Sequence, residues 1–201
     1  RTHNGNGHGS NTVKKEGISQ VTICYGTETG NAKKLALQFT QQAKQSGITV
    51  KCANLDQYRF TDLEKESLFL AIVSTQGEGE PPESARKFFA RIFEEKPNLS
   101  GMKYSILALG DTAYPLYCKA GEDLDKRFEE LGASRLFAMP KCDVDYEESA
   151  GQWYREISGL WGKAAEKEKK PEQIIPAATK PAGKKIYSGT IQTHINLNDR
   201  G

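Results

Sequence analysis

The chain has 201 residues, 37% of them hydrophobic, and a formal net charge of +2, enough for one sizeable α/β domain with flanking segments. The charge is unevenly placed: residues 21–162 hold 17 Lys+Arg against 21 Asp+Glu, a balance of −4, while the flanks hold 11 against 5. A mildly acidic centre excludes a nucleic-acid-binding core, which needs a basic face to meet phosphates, and no apolar run approaches the roughly 20 residues that cross a bilayer.

The sequence opens at Arg1 rather than Met, as an excised fragment or a processed product would, and an upstream membrane segment stays compatible with it. Residues 1–18 include His3, Gly5, Gly7, His8, Gly9 and Ser10 without apolar periodicity, which predicts a flexible linker. Residues 21–25 read as a buried strand. Leu35, Phe39 and Ala43, four apart, then mark one face of a helix over 31–46, which Gly47 stops. Residues 49–54 alternate as a second strand, and the near-continuous apolar run 68–74 predicts a strand buried on both faces. A helix from Pro82 and Glu83 through Phe93, a strand over 104–109, a helix over 120–131 with Leu124 and Phe128, and a fifth strand over 135–139 follow. A last helix over 147–161 carries Trp153, Ile157, Leu160 and Trp161 as core anchors.

Beyond residue 163 the composition shifts. Residues 164–185 are charged and contain Pro171, Pro176 and Pro181, a semi-rigid linker, and 186–198 reads as a strand again. A lone strand cannot pack by itself, so residues 186–201 are expected to begin another domain. Strands alternating with helices predict an α/β fold, a parallel sheet covered on both faces by right-handed crossovers. Ligands in such folds bind beyond the carboxyl ends of the strands.

The loop after the first strand, Tyr25-Gly26-Thr27-Glu28-Thr29-Gly30-Asn31-Ala32, is an anion site in form. Backbone N–H groups, two hydroxyls and a helix N-terminus lie together. No lysine follows Gly30, so it is not a triphosphate-hydrolysing loop; a cofactor monophosphate suits it, and an ordinary strand-to-helix turn suits it equally. The loop Ser74-Thr75-Gln76-Gly77-Glu78-Gly79-Glu80-Pro81-Pro82 lets backbone approach a flat ligand. The loop Leu109-Gly110-Asp111-Thr112-Ala113-Tyr114-Pro115-Leu116-Tyr117-Cys118 brings aromatics to a strand exit, where a planar ring has a face to stack on. The acidic stretch from Asp143 to Glu148 is either part of a ligand site or a helix cap. Cys24, Cys52, Cys118 and Cys142 form no C-x-x-C pair and have no neighbouring His, so no metal site is expected. Reduced thiols in a cytoplasmic, or cytosol-facing, protein are the expectation, with Cys24 and Cys52 as small buried hydrophobes.

Taken together, the three loops resemble those of the flavodoxin-type FMN domain of diflavin reductases. The resemblance is closest to the flavoprotein subunit of NADPH-dependent sulfite reductase, with NADPH-cytochrome reductases and nitric oxide synthase reductase domains more distant. It covers about residues 20–162 and implies a doubly wound five-stranded sheet of order 2-1-3-4-5 over residues 19–163. It implies that Thr27, Glu28, Thr29, Gly30, Asn31 and Ala32 hold the FMN phosphate. Ser74, Thr75, Gln76 and Gly77 would line the ring, with the Gly77 amide near its N5. Leu109, Gly110, Asp111, Thr112, Ala113, Tyr114, Pro115, Leu116, Tyr117 and Cys118 would border it, Tyr114 stacking, and Asp143 would sit near the ribityl or ring edge.

Cytochrome reductases place an aromatic where this chain has Gln76, so one ring face would be more open. No residue need be a general acid or base, since the cofactor supplies the chemistry. The resemblance further implies an FAD- and NADPH-binding reductase domain in the same chain, and a haem or iron–sulfur protein as electron acceptor. The acidic residues Glu78, Glu80, Glu83, Glu122, Asp123, Asp143 and Asp145 would steer a basic partner or form a solvated rim. A free-standing flavodoxin or a quinone reductase is the near alternative. A flavin-free receiver domain is remote, because its acidic cluster and phosphoacceptor positions hold Tyr25-Gly26-Thr27 and Ser74-Thr75-Gln76 instead.

Overall fold

The computed structural model describes residues 18–161. The linkers and the final strand expected over 1–17 and 162–201 lie outside the described residues. The elements are β1 (Gln20–Gly26), α1 (Asn31–Gln45), β2 (Thr49–Asn54), β3 (Leu68–Ser74), α2 (Arg86–Glu94), β4 (Lys103–Leu109), α3 (Lys119–Glu130), β5 (Ser134–Arg135), β6 (Lys141–Cys142) and α4 (Glu147–Ser158). The strands run β2-β1-β3-β4-β5, all parallel, and β6 also pairs with β4. This is the doubly wound order 2-1-3-4-5.

β3 shows why the sheet needs two layers. All seven of its residues are buried. Leu68, Leu70 and Ile72 join one apolar cluster with Leu35 and Phe39 of α1 and with Trp153 and Ile157 of α4. Phe69, Ala71 and Val73 join another with Phe88 and Ile92 of α2 and Leu124 and Phe128 of α3. The period of two in a strand thus divides one apolar run between two helical layers. α4 is tied in by polar contacts as well: Trp153 Nε1 donates to Ser105 Oγ at 2.8 Å, and the Tyr154 hydroxyl donates to the Phe39 carbonyl at 3.1 Å.

Three expectations need correction. The fifth strand over 135–139 is two short strands, β5 and β6; residues 136–140 lie between them outside either strand, although the Leu136 N–H still donates to the Tyr104 carbonyl at 2.8 Å. Pro140 has no N–H to give a ladder, and its carbonyl instead accepts the Ala108 N–H at 3.1 Å. Within this excursion Leu136 and Phe137 pack on the α1/α4 layer and Met139 on the α2/α3 layer. The last helix stops at Ser158, and Leu160, expected as a core anchor, is exposed. Cys24 is buried as expected, but Cys52, on the outer strand β2, is only half-buried.

Between β2 and β3, a 3-10 turn at Phe60–Lys65 gives Phe60 and Leu63 to the core. It is followed by Glu66, a buried carboxylate. Its oxygens accept from Thr22 Oγ1 at 2.7 Å, Tyr58 Oη at 2.9 Å and Lys51 Nζ at 3.3 Å, the pairing a buried charge requires. Burial, and then this carboxylate, push the Tyr58 hydroxyl well above its usual pKa.

Candidate functional site

Four loops leave the carboxyl ends of β1, β3, β4 and β6 on one edge of the sheet. In the first, Gly30 caps α1 in the left-handed region, at φ 96°, with no atom within 4 Å of where a Cβ would lie. Backbone conformation, not crowding, therefore demands the glycine. Its N–H donates to Thr27 Oγ1 at 2.9 Å. Thr27 is held in turn by Ser84, whose hydroxyl accepts the Thr27 N–H at 2.8 Å and donates to the Thr27 carbonyl at 2.9 Å. The first bond of the α1 ladder runs from the Lys34 N–H to the Gly30 carbonyl at 2.9 Å. Among the described residues, the N–H groups of Glu28, Thr29, Asn31 and Ala32 have no protein acceptor. The first turn of α1 carries no acidic side chain. Those donors and the positive end of the 15-residue helix suit an anion.

The second loop is a tight hairpin. The Gln76 N–H donates to the Glu80 carbonyl and the Glu80 N–H to the Gln76 carbonyl, both at 2.9 Å. Thr75 Oγ1 accepts the Ala120 N–H at 3.2 Å and so fastens the hairpin to the start of α3. Gln76 Oε1 is buried without a hydrogen-bond partner among the described residues, an orphaned polar atom of the kind that a ligand satisfies.

The third loop is folded by Asp111, whose carboxylate accepts the Ala113 N–H at 2.8 Å and whose carbonyl accepts the Tyr114 N–H at 3.1 Å. Chain passes close over Gly110: a Cβ there would fall 2.8 Å from Tyr117 Cδ2 and 2.9 Å from the Cys118 nitrogen. Cys118 follows at φ 59°, the one non-glycine residue with positive φ among the described residues, and its Sγ lies 3.8 Å from the Cys142 carbonyl oxygen. Burial pushes the Cys118 and Cys142 thiols up to about 11. Both are neutral near pH 7 and are poor nucleophiles. In the fourth loop the Asp143 carboxylate accepts three hydrogen bonds, from Thr112 Oγ1 at 2.5 Å, the Val144 N–H at 2.8 Å and the Thr112 N–H at 3.1 Å.

The loops enclose a cleft of about 400 Å³. Of the expected residues, Glu28, Thr29, Asn31, Ser74, Thr75, Gln76, Gly77, Leu109, Gly110, Asp111, Tyr114, Leu116, Tyr117, Cys118 and Asp143 line it. Thr27, Gly30, Ala32, Thr112, Ala113 and Pro115 do not; Thr27, Gly30 and Thr112 shape the loops through the bonds above. Val144 and Tyr146 also line the cleft and were not expected, although an aromatic three residues past Asp143 is a signal of the same kind as Tyr114. Ser84 was missed as well. Its partner lies 57 positions away, a distance over which local pattern carries no information. Tyr114, Leu116 and Val144 stand 57%, 40% and 62% exposed at the rim, and no Lys or Arg is among the lining residues. An anionic group here would be met by backbone N–H groups and a helix end, and a flat apolar body by tyrosines.

The flavodoxin family model matches residues 23–153. The chain belongs to the flavodoxin family. Among solved structures, this flavodoxin chain is similar to the Streptococcus pneumonia TIGR4 flavodoxin, with a TM-score of 0.62 and 25% identity over 70% of this chain and 97% of that one. It also matches flavodoxin 2 from Bacillus cereus, with a TM-score of 0.62 and 23% identity over 70% and 98%. Among curated proteins it is 44% identical to the sulfite reductase [NADPH] flavoprotein alpha-component of Shewanella sp. (strain MR-7), over 68% of this chain and 23% of that protein. The corresponding component of Bacillus subtilis (strain 168) is 36% identical over 90% of this chain and 31% of its own length. The chain thus spans 23% and 31% of the length of these two curated relatives, as a flavodoxin-like domain related to an oxidoreductase flavoprotein.

Proposed function

We propose that this chain binds FMN in the four-loop cleft and acts as the electron-transfer domain of a larger NADPH-dependent diflavin oxidoreductase. The observation that carries the reading is the meeting, in one cleft, of unpartnered N–H groups at the α1 N-terminus with the Tyr114 and Tyr117 loop and the orphaned oxygen of Gln76. The bound flavin supplies one-electron chemistry. The protein's part is placement and field: Glu28, Thr29, Asn31 and Ala32 give N–H donors to the phosphate, the tyrosine loop covers the ring, and Gln76 and Gly77 border it. Glu28, Asp111 and Asp143 line the same cleft, and their negative charge disfavours added negative charge on the ring. A single hydrogen bond, worth about 0.5–1.5 kcal/mol net, is enough to move a one-electron potential by tens of millivolts.

The kinship with sulfite reductase flavoprotein components supports an FAD- and NADPH-binding reductase domain in the same chain as donor, and a haem or iron–sulfur protein as acceptor. The exposed Tyr114, Leu116 and Val144, beside acidic residues such as Glu78, Asp143 and Asp145, suit a partner with an apolar centre and a basic rim. Free thiols at all four cysteines are compatible with a cytoplasmic location. The test is titration of the FMN-free protein with FMN, followed by flavin fluorescence and visible absorbance. Saturable quenching with one FMN per chain supports the reading, and its absence overturns it.

A further inference from the structure

We infer that Asp143 serves the cofactor as a positioning residue, acting through Thr112 to hold the tyrosine-bearing loop in place. The inference rests on the FMN reading above and concerns how the site is built. Asp143 follows β6 and Thr112 follows β4; the two lie 31 positions apart. One carboxylate oxygen accepts the Thr112 N–H at 3.1 Å and the Val144 N–H at 2.8 Å, and the other accepts the Thr112 hydroxyl at 2.5 Å. A carboxylate is an acceptor only and makes its strongest bonds when charged, so three donors aimed at it lock both loops to one point. Two residues beyond Thr112 stands Tyr114, more than half exposed, its N–H donating to the Asp111 carbonyl and its carbonyl accepting the Tyr117 N–H. Asp111 folds the loop from within, and Asp143 ties it to the next strand. Thr112 itself does not line the cleft, so any effect of Thr112 on a ligand must pass through the loop.

The experiment is a double-mutant cycle in the full 201-residue chain, with FMN affinity read by fluorescence titration. Thr112→Val and Asp143→Ala should each weaken FMN binding about threefold to tenfold, the span of one or two net hydrogen bonds. The double variant should be no weaker than Asp143→Ala within about twofold, and Thr112→Ser, which keeps the hydroxyl, should restore wild-type affinity. The visible circular dichroism of bound FMN should change alike in both single variants, a signature that general loss of stability does not produce. Losses that multiply in the double variant, or a Thr112→Val protein that binds as wild type while Asp143→Ala does not, would overturn the inference and make Asp143 a direct ligand. A wild-type protein that takes up no FMN would instead remove the reading on which it stands.

Discussion

Ser84 holds Thr27 with both functions of one hydroxyl, accepting its N–H at 2.8 Å and donating to its carbonyl at 2.9 Å. The contact joins the middle of the 3-10 turn at Glu83–Ala85 to the loop that opens α1. It leaves Thr27 Oγ1 to accept the Gly30 N–H, so that a half-buried serine governs the shape of the anion site two bonds away. Ser84→Ala is expected to lower stability by about 1 kcal/mol and FMN affinity about threefold to tenfold, with Ser84→Thr close to wild type. Urea unfolding and FMN titration of the same preparations check this; an alanine variant that binds FMN as wild type would show that the loop holds its shape without Ser84.

The two threonines of the first loop should separate. The Thr27 hydroxyl is engaged inside the protein, whereas Thr29 is exposed and lines the cleft. Thr27→Val is therefore expected to lose both stability, about 1 kcal/mol, and FMN affinity. Thr29→Val should lose affinity alone. Thermal unfolding without FMN tells the two apart, and equal midpoints for the two variants would contradict the division.

The Asp143 clamp sets a pH window. The Thr112 hydroxyl first, then the Thr112 and Val144 N–H groups, hold the Asp143 carboxyl below the ordinary carboxylate value of 3.8. A group whose folded pKa is depressed stabilises the fold above its unfolded value, and that contribution fades as pH falls through the folded one. The clamp should thus be intact at neutral and mildly acidic pH and loosen only below 3.8. A carboxyl carbon NMR titration should find the Asp143 midpoint below that value, moving upward in Thr112→Val; an ordinary midpoint in the wild-type protein would contradict the three-bond geometry.

Trp153 tests the packing of α4 on the sheet. Trp153→Phe keeps an aromatic ring but strands the Ser105 hydroxyl in the core, at a cost of about 1–3 kcal/mol. Adding Ser105→Ala removes the stranded group and should return part of that loss. Chemical denaturation of both variants decides it: a double variant less stable than Trp153→Phe alone would mean that Ser105 has a second role.

Much of this molecule was legible in sequence because it is written in local periodicity. The run at β3, the four-residue spacing of Leu35, Phe39 and Ala43, and the glycines at the loop turns each reflect backbone geometry within a few residues. The order 2-1-3-4-5 came from likeness of the loops, and the strands are arranged in that order. Long-range pairing was not legible. Ser84 with Thr27, Thr75 with Ala120 and Asp143 with Thr112 are contacts between segments far apart in sequence, and no single segment's pattern names its partner. The break at residues 136–140 was missed for a different reason: Leu136 to Met139 is apolar enough to be a strand, and Pro140 acts by withholding an N–H from a ladder whose partner is known only once the sheet is formed.

The most direct test of the account is a titration of the purified, FMN-free chain with FMN at neutral pH, set beside the same titration with riboflavin. With the phosphate held by the N–H groups of Glu28, Thr29, Asn31 and Ala32, FMN should bind at one per chain, with quenched fluorescence and a shifted visible spectrum, and riboflavin, which lacks the phosphate, at least about 100-fold more weakly. Equal affinity for the two flavins would deny the first loop its role, and no uptake of either would contradict the assignment of the cleft.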